Sequence, residues 1–236
     1  VAYTLLSPNH SGLRTEQIDR ISPHCVVGQC TAEGLGDWFH KSSTQASSNY
    51  GIDRNGRVGL YVEEKNRSWC TSSNANDQRA VTIECASDKA EPYAMHQVVY
   101  DRLIDLCEDI CRRNGKKKLL WFGDKNKSLN YQPKADEMLI TVHRWFANKS
   151  CPGDWLYARL GDLAAKVTSR LGSGNVEVIP SGMQAGEFQG LTEEQVLAKV
   201  GPLFTADQRR SGILASVSMA QFILESGYGK SELALG

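Results

Sequence analysis

Residues 141–155 read TVHRWFANKSCPGDW, and within nine residues they place His143, Lys149 and Cys151. Imidazole nitrogen and thiolate sulfur are donors that zinc prefers. A catalytic zinc site takes three protein ligands and keeps a fourth position open. His24, in the run PHCVV (23–27), is the candidate third ligand. A strand-end histidine and a cysteine in the loop after it can turn back toward one point, and His24 can reach that point from a neighbouring strand. Spacing alone leaves a second reading open. In it the histidines are satisfied structural residues and Cys151 is a packed thiol, as buried free cysteines commonly are.

Elements must hold these residues in place. Short β-branched or apolar runs predict strands over 23–27, 57–62, 80–85, 118–122 and 139–143. A helix is expected over about 92–113, with Met95, Val99, Leu103, Leu106 and Ile110 on one face. Pro92 suits its first turn and Arg112 and Arg113 its last, and Gly115 lies just past the end. A second helix is expected over about 155–171, with Asp154 as N-cap, a stripe of Leu156, Leu160, Leu163 and Val167, and Gly172 after it. Strands alternating with helices predict an α/β domain over 1–172, a mixed central sheet flanked by helices. The stretch 173–190, SGNVEVIPSGMQAGEFQG, has the composition of a linker. Beyond it, Thr192 to Gln195 and Thr205 to Gln208 each fit a capping box, so 191–236 reads as the front part of an incomplete α-helical domain.

Composition narrows the function classes. Of 236 residues, 41% are hydrophobic and 23% charged, and 27 Lys+Arg balance 27 Asp+Glu. There is no basic footprint for a nucleic-acid partner. No stretch has the length for insertion into a membrane. The start, VAYTLLSPNHSG, lacks the basic-then-apolar pattern of a secretory signal, so release by lysis or through an export segment outside this sequence is expected. Seven cysteines, an odd number, argue against a disulfide framework. Cys107 and Cys111 sit i,i+4 beside the apolar stripe of the long helix and read as core, and Cys25 and Cys30 as packed thiols. His10, His40 and His96 read as surface or structural residues and Lys116 to Lys118 as a solvated turn; Trp69 and Trp121 could line a sugar or peptide groove, but large aromatics are more often core.

Taken in order, these segments resemble the type-2 zinc N-acetylmuramoyl-L-alanine amidases, a family that includes phage lytic amidases and peptidoglycan recognition proteins. The resemblance rests on PHCVVGQ with His24, and on VHRWFANKSCPG with His143, Lys149, Cys151, Pro152 and Gly153. It rests also on SNYGIDRNGRVGLYVEE, with Tyr50 and a turn at Asp53 and Gly56, and on AVTIECA with Glu84. It spans nearly all of 1–172. It implies Zn2+ held by His24, His143 and Cys151, and bacterial cell-wall peptidoglycan (muropeptide) as substrate. The bond cut would be the amide between N-acetylmuramic acid and L-alanine. Glu84 would be the general base, Tyr50 a hydrogen-bond donor to the water or the oxyanion, and Lys149 the positive charge facing that oxyanion. The protein would be a monomer acting at the wall through a shallow groove over one edge of the sheet. The alternative is a recognition module of the same fold that binds muropeptide without cutting it. In that class the cysteine ligand is typically replaced, and here Cys151 is present.

The tail carries a second resemblance. SMAQFILESGYGKSELA (218–234) is similar to the helix and turn of bacterial glucosaminidases, lysozyme-like enzymes in which the glutamate corresponding to Glu225 is the general acid. Such an acid needs a raised pKa and a groove around it. Residues 191–236 hold too little of that domain to provide them, so no glycan cleavage is expected from this chain. An amidase followed by the start of a glucosaminidase suggests part of a bifunctional cell-wall lysin, an endolysin or autolysin.

Overall fold

The structure is a computed structural model that describes residues 1–172, 188, 190–211, 219, 220, 223 and 227. The chain divides into two compact units, Val1–Gly174 and Asn175–Gly236. In the first, the strands are β1 (Tyr3–Thr4), β2 (His10–Leu13), β3 (Arg20–Cys25), β4 (Tyr50–Ile52), β5 (Val58–Leu60), β6 (Asn66–Ser68), β7 (Ala80–Cys85), β8 (Lys118–Leu120) and β9 (Glu137–Ile140). The helices are α1 (Ala32–His40), α2 (Asn74–Arg79), α3 (Gln97–Arg113), α4 (Lys125–Asn130), α5 (Asp154–Tyr157) and α6 (Leu160–Gly172). Seven strands form one sheet in the order β1-β5-β4-β7-β3-β9-β8, while β2 and β6 pair separately. Every pairing in the large sheet is parallel except β4 with β5. This is the mixed α/β architecture expected from the sequence. Among the described residues, no helix is long and apolar enough to cross a membrane.

The two central strands explain how the sheet is covered. β3 alternates Ile21, Pro23 and Cys25 with Arg20, Ser22 and His24, and β7 alternates Val81, Ile83 and Cys85 with Ala80, Thr82 and Glu84. They pair in register, Ile21 beside Val81 and His24 beside Glu84. Side chains of paired residues share a face. One face is therefore apolar and packs with Val99, Leu103 and Ile110 of α3 and Leu163 and Val167 of α6 in one buried cluster. The other face is polar; α2 packs against β7 there, while α1 packs against β1, β4 and β5.

That polar face is closed by hydrogen bonds among buried side chains. Ser22 and Thr141 hydroxyls lie 2.7 Å apart, Thr141 donates to Asn76 Oδ1 at 3.0 Å, and Asn76 Nδ2 donates to Ser22 Oγ at 3.1 Å. Arg20 Nη1 donates to the same Asn76 oxygen at 3.0 Å. One side chain of α2 thus ties β3 to the segment that follows β9.

Several expected boundaries shift. The long helix begins at Gln97, because Tyr93 adopts φ +54 and the chain before His96 is not helical. The helix expected over 155–171 is two, α5 and α6, with an Arg159 N–H to Leu156 C=O bond of 2.8 Å tightening the chain between them. Asp154 is the first residue of α5, and Gly153 precedes it as the cap. Lys116 is buried, with Nζ on the Ala135 carbonyl at 3.0 Å, and Lys118 opens β8, so that run is no solvated turn.

In the second unit, the Thr192 capping box forms: Gln195 N–H donates to Thr192 Oγ1 at 3.2 Å, and Thr192 N–H to Gln195 Oε1 at 2.9 Å. The helix it opens, α7 (Glu193–Ser211), runs through Pro202 and past Thr205, so the second box starts no helix. Phe188, Val196 and Val200 form a small buried cluster there. Glu225 lies outside the described residues, as does the expected linker apart from 188 and 190.

Replacing Asn76 tests the polar closure. Asn76→Ala leaves Arg20, Ser22 and Thr141 short of a buried partner, at about 1–3 kcal/mol for a strongly unsatisfied group. We expect urea unfolding to show a loss of about 2–4 kcal/mol. A midpoint equal to that of the parent would refute the role given to Asn76.

Candidate metal centre

His24 is the penultimate residue of β3 and Glu84 the penultimate residue of β7, so the two stand side by side at the carboxyl ends of parallel strands. Open α/β sheets bind their ligands at these ends. β9 stops at Ile140, and His143 begins a one-turn 3-10 helix, His143–Trp145, just past it. The chain then closes a loop in which the Arg144 N–H donates to the Cys151 carbonyl at 3.1 Å. The Arg144 guanidinium clamps the same loop through Asp154 Oδ1 at 2.9 Å and the Ser150 carbonyl. This brings Cys151 back beside His143.

Next comes the turn. Gly153 has φ +83, and a Cβ there would stand 2.8 Å from the Pro92 carbonyl oxygen and 2.9 Å from Tyr93 Cβ. Only glycine fits this close approach without strain. The Trp155 N–H donates to the same carbonyl at 3.0 Å, pinning the turn to the segment ahead of α3.

The donor geometry suits a metal ion. One ligand atom from each of His24, His143 and Cys151 lies within 4.8 Å of the others. Zinc bonds of about 2.0–2.3 Å place tetrahedral ligand atoms about 3.3–3.8 Å apart. Cys151 Sγ lies 3.2 Å from His24 Nδ1. The His24 and His143 rings are 5.2 Å apart between centroids. His24 is 1% exposed, and its Nε2 has no hydrogen-bond partner among the described residues. Two imidazoles and one thiol form the borderline-soft donor set that zinc takes. The residues fit the ion.

Burial sets the protonation states of the metal-free group. It drives the His24 imidazole down to about 3, with His143 adding to the effect. His143 is lowered by burial and by the charge of Lys149. Both rings are therefore neutral near pH 7, the form that ligates. The Cys151 thiol is pushed well up by its hydrogen bond with Cys25 and by burial. Burial raises the Glu84 carboxyl to about 7. Its Oε1 lies 3.8 Å from His24 Nδ1. With His24 neutral, this is a carboxyl–imidazole contact rather than an ion pair. A cation bound at the three donors would draw both acids back down.

The structure thus gathers His24, His143, Cys151 and Glu84. Lys149 is exposed, close enough for its charge to act on His143, and lines a polar cleft with Glu91, Arg144, Asn148, Ser150 and Asp154. Tyr50 is not brought to the group. It pairs with Ile83, whereas Gly51 pairs with Glu84, so its side chain leaves by the opposite face of the sheet. Burial and the nearby Glu64 carboxylate push its hydroxyl well up, and Glu64 is held by Arg113 through two contacts of 2.9 Å. The expected role of Tyr50 at the water or oxyanion is corrected on this ground.

Two residues of the site were not singled out in the sequence. Ser72 places its hydroxyl 2.9 Å from His143 Nε2 and takes φ +61 to do so. A non-glycine residue held in that region is a mark of functional sites. Cys70 lies with its Sγ 3.8 Å from Glu84 Oε1. Neither stands in a patterned strand or helix, so periodicity carries no signal for them.

The family model described as N-acetylmuramoyl-L-alanine amidase matches residues 14–154. Among solved structures, the chain is similar to a mutant endolysin from Bacillus subtilis, with TM-score 0.51 and 11% identity, covering 70% of this chain and 97% of that one. It is similar to a mutant of PlyL at TM-score 0.50 and 11% identity, covering 72% and 98%. The catalytic domain of XlyA matches at TM-score 0.50 and 11% identity, covering 71% and 99%. At these identities the likeness is one of fold. A search of curated protein sequences finds no match.

Gly153→Ala provides a check on the turn behind Cys151. The strained φ and the contact with the Pro92 carbonyl should cost about 1–3 kcal/mol. We expect a lower melting temperature together with weaker zinc binding. A variant that melts and binds zinc as the parent does would show that the turn does not hold Cys151.

Proposed function

Because this chain belongs to the N-acetylmuramoyl-L-alanine amidase family, whose model covers residues 14–154, we propose that it hydrolyses the amide between N-acetylmuramic acid and L-alanine in peptidoglycan, with Zn2+ held by His24, His143 and Cys151. The observation that carries this reading is the convergence of those three donors, with Glu84 beside them. Bound there, zinc would supply Lewis acidity, polarising the scissile carbonyl and making water nucleophilic at neutral pH.

The chain's own residues would do the rest. Glu84 takes the proton from the attacking water at its carboxylate and hands it to the departing amine, general base and then general acid. Its place beside His24, at the edge of the buried polar face, keeps it partly desolvated. Lys149 offers positive charge to the oxyanion that develops on the carbonyl. It does so from a polar cleft that it lines with Arg144 and Asp154. Ser72 and the Arg144 clamp hold His143 and the Cys151 loop in place.

The wider reading, part of a bifunctional lysin acting at the wall, rests on the sequence motif around Glu225 alone.

Digestion of purified cell walls, followed by mass spectrometry of the new ends, tests the reaction. New L-alanine amino termini should appear and should be lost on chelation and in Cys151→Ser. Muropeptide binding without new termini would instead mark a recognition module. Glu84→Gln should lower kcat by about 10²–10⁴-fold while zinc content is kept. Lys149→Ala should lower it by about 10²–10³-fold. Tyr50→Phe should leave kcat/KM close to that of the parent, since its side chain leaves by the opposite face of the sheet; a loss as deep as that in Glu84→Gln would restore Tyr50 to the site.

A further inference from the structure

His24 belongs to a second group of donors. One ligand atom from each of His24, Cys70 and Glu84 lies within 4.8 Å of the others. Glu84 Oε1 lies 3.8 Å from His24 Nδ1 and 3.8 Å from Cys70 Sγ. Both separations exceed by a few tenths of an ångström the tetrahedral edges of about 3.3–3.7 Å that zinc bonds to nitrogen, oxygen and sulfur set, a difference that side-chain rotation closes. The group contains buried polar atoms with nothing bound to them: His24 Nε2 and Glu84 Oε2 lack hydrogen-bond partners among the described residues.

Cys70 is held there by the fold. Its N–H donates to Asp77 Oδ2 at 3.1 Å, and the next residue, Thr71, donates its hydroxyl to Asp77 Oδ1 at 2.6 Å. Asp77 is buried on α2, the helix whose Asn76 closes the polar face of the sheet. The thiol is thus fixed by the same framework that fixes Ser22 and Thr141, and it needs no loop rearrangement to meet an ion.

Resting on the zinc reading above, we propose that His24, Cys70 and Glu84 form a second position for a thiophilic divalent cation, reached by exchanging His143 and Cys151 for Cys70 and Glu84. The two positions share His24 and exclude one another. They differ in charge. Two neutral imidazoles and one thiolate leave a divalent ion with net +1, whereas one imidazole, one thiolate and one carboxylate neutralise it. The neutral position holds the ion while quenching its Lewis acidity. It also occupies the carboxylate that must take the proton. An ion there is parked, and the enzyme is silent.

Cadmium reports on this position without any measure of activity, because each thiolate ligand adds ultraviolet charge-transfer absorption. The full chain, stripped by chelation, is titrated with Cd2+ by absorbance and equilibrium dialysis. Cys151→Ser should keep one bound Cd2+ and a sulfur band. Cys70→Ser/Cys151→Ser should lose that band. Glu84→Gln/Cys151→Ser, which keeps Cys70, should bind more weakly than Cys151→Ser and serves as the second test if loss of Cys70 perturbs folding. Thermal melts of each variant monitor that. A Cys151→Ser protein with no sulfur band would mean that Cys70 and Glu84 share only a thiol–carboxylate hydrogen bond, and would overturn the proposal. So would a band unchanged by the additional loss of Cys70. Failure of the parent chain itself to bind Cd2+ or Zn2+ would instead overturn the three-donor reading, and the parked position with it.

Discussion

The in-register parallel pairing of β3 with β7 is the constraint on which the rest of the molecule hangs. It places Ile21, Pro23 and Cys25 beside Val81, Ile83 and Cys85 on the face buried by α3 and α6, and His24 beside Glu84 on the other. A slip of one residue between these strands would put an apolar side chain beside His24 and a polar one into the core. Stability and chemistry therefore enforce the same register. The hydrophobic face cannot close unless the histidine and the carboxylate meet, and they meet at the carboxyl ends of the strands, where β9 delivers His143.

The polar face shows how a reactive group can be buried beside a core without loosening it. Buried polar atoms are costly unless paired. Here Asn76 serves Arg20, Ser22 and Thr141, while Asn49 and Ser68 serve Thr82. Three buried atoms of the face have no hydrogen-bond partner among the described residues: Arg20 Nε at the start of β3, and His24 Nε2 and Glu84 Oε2 at the carboxyl ends of β3 and β7.

Much of this could be read before any fold was known, and the exceptions have physical causes. His24, His143 and Cys151 carried donor types and a spacing that pointed to one centre, and the structure brings them together. The stripes of α3 and α6 followed from helical periodicity and are buried as expected. Tyr50 failed because a strand of three residues, Tyr50–Ile52, does not declare its own face. Parity comes from its register against β7, a contact between segments some thirty positions apart. Cys70 and Ser72 failed for a related reason. Their places depend on Asp77 and on the N-terminus of α2, which has no apolar stripe to mark it. The start of α3 moved because Pro92 suits a first helical turn equally well as it suits an extended approach, and the left-handed Tyr93 decides between them.

Charge links these observations. A site of two imidazoles and one thiolate retains a positive remainder on a divalent ion, which is what an electrophile at a carbonyl requires. The fold sets a carboxylate against that site rather than inside it, 3.8 Å from His24 Nδ1 and on the neighbouring strand. The distance matters in both directions. Farther away, Glu84 would miss a proton released beside the ion. Nearer, it would join the ligands and cancel the charge that the proposed zinc chemistry needs. The strand spacing of a parallel sheet, about 4.8 Å, sets how closely the two side chains can start. Cys70 Sγ lies 3.8 Å from the same oxygen, so the carboxylate is flanked by a second donor as well as by His24.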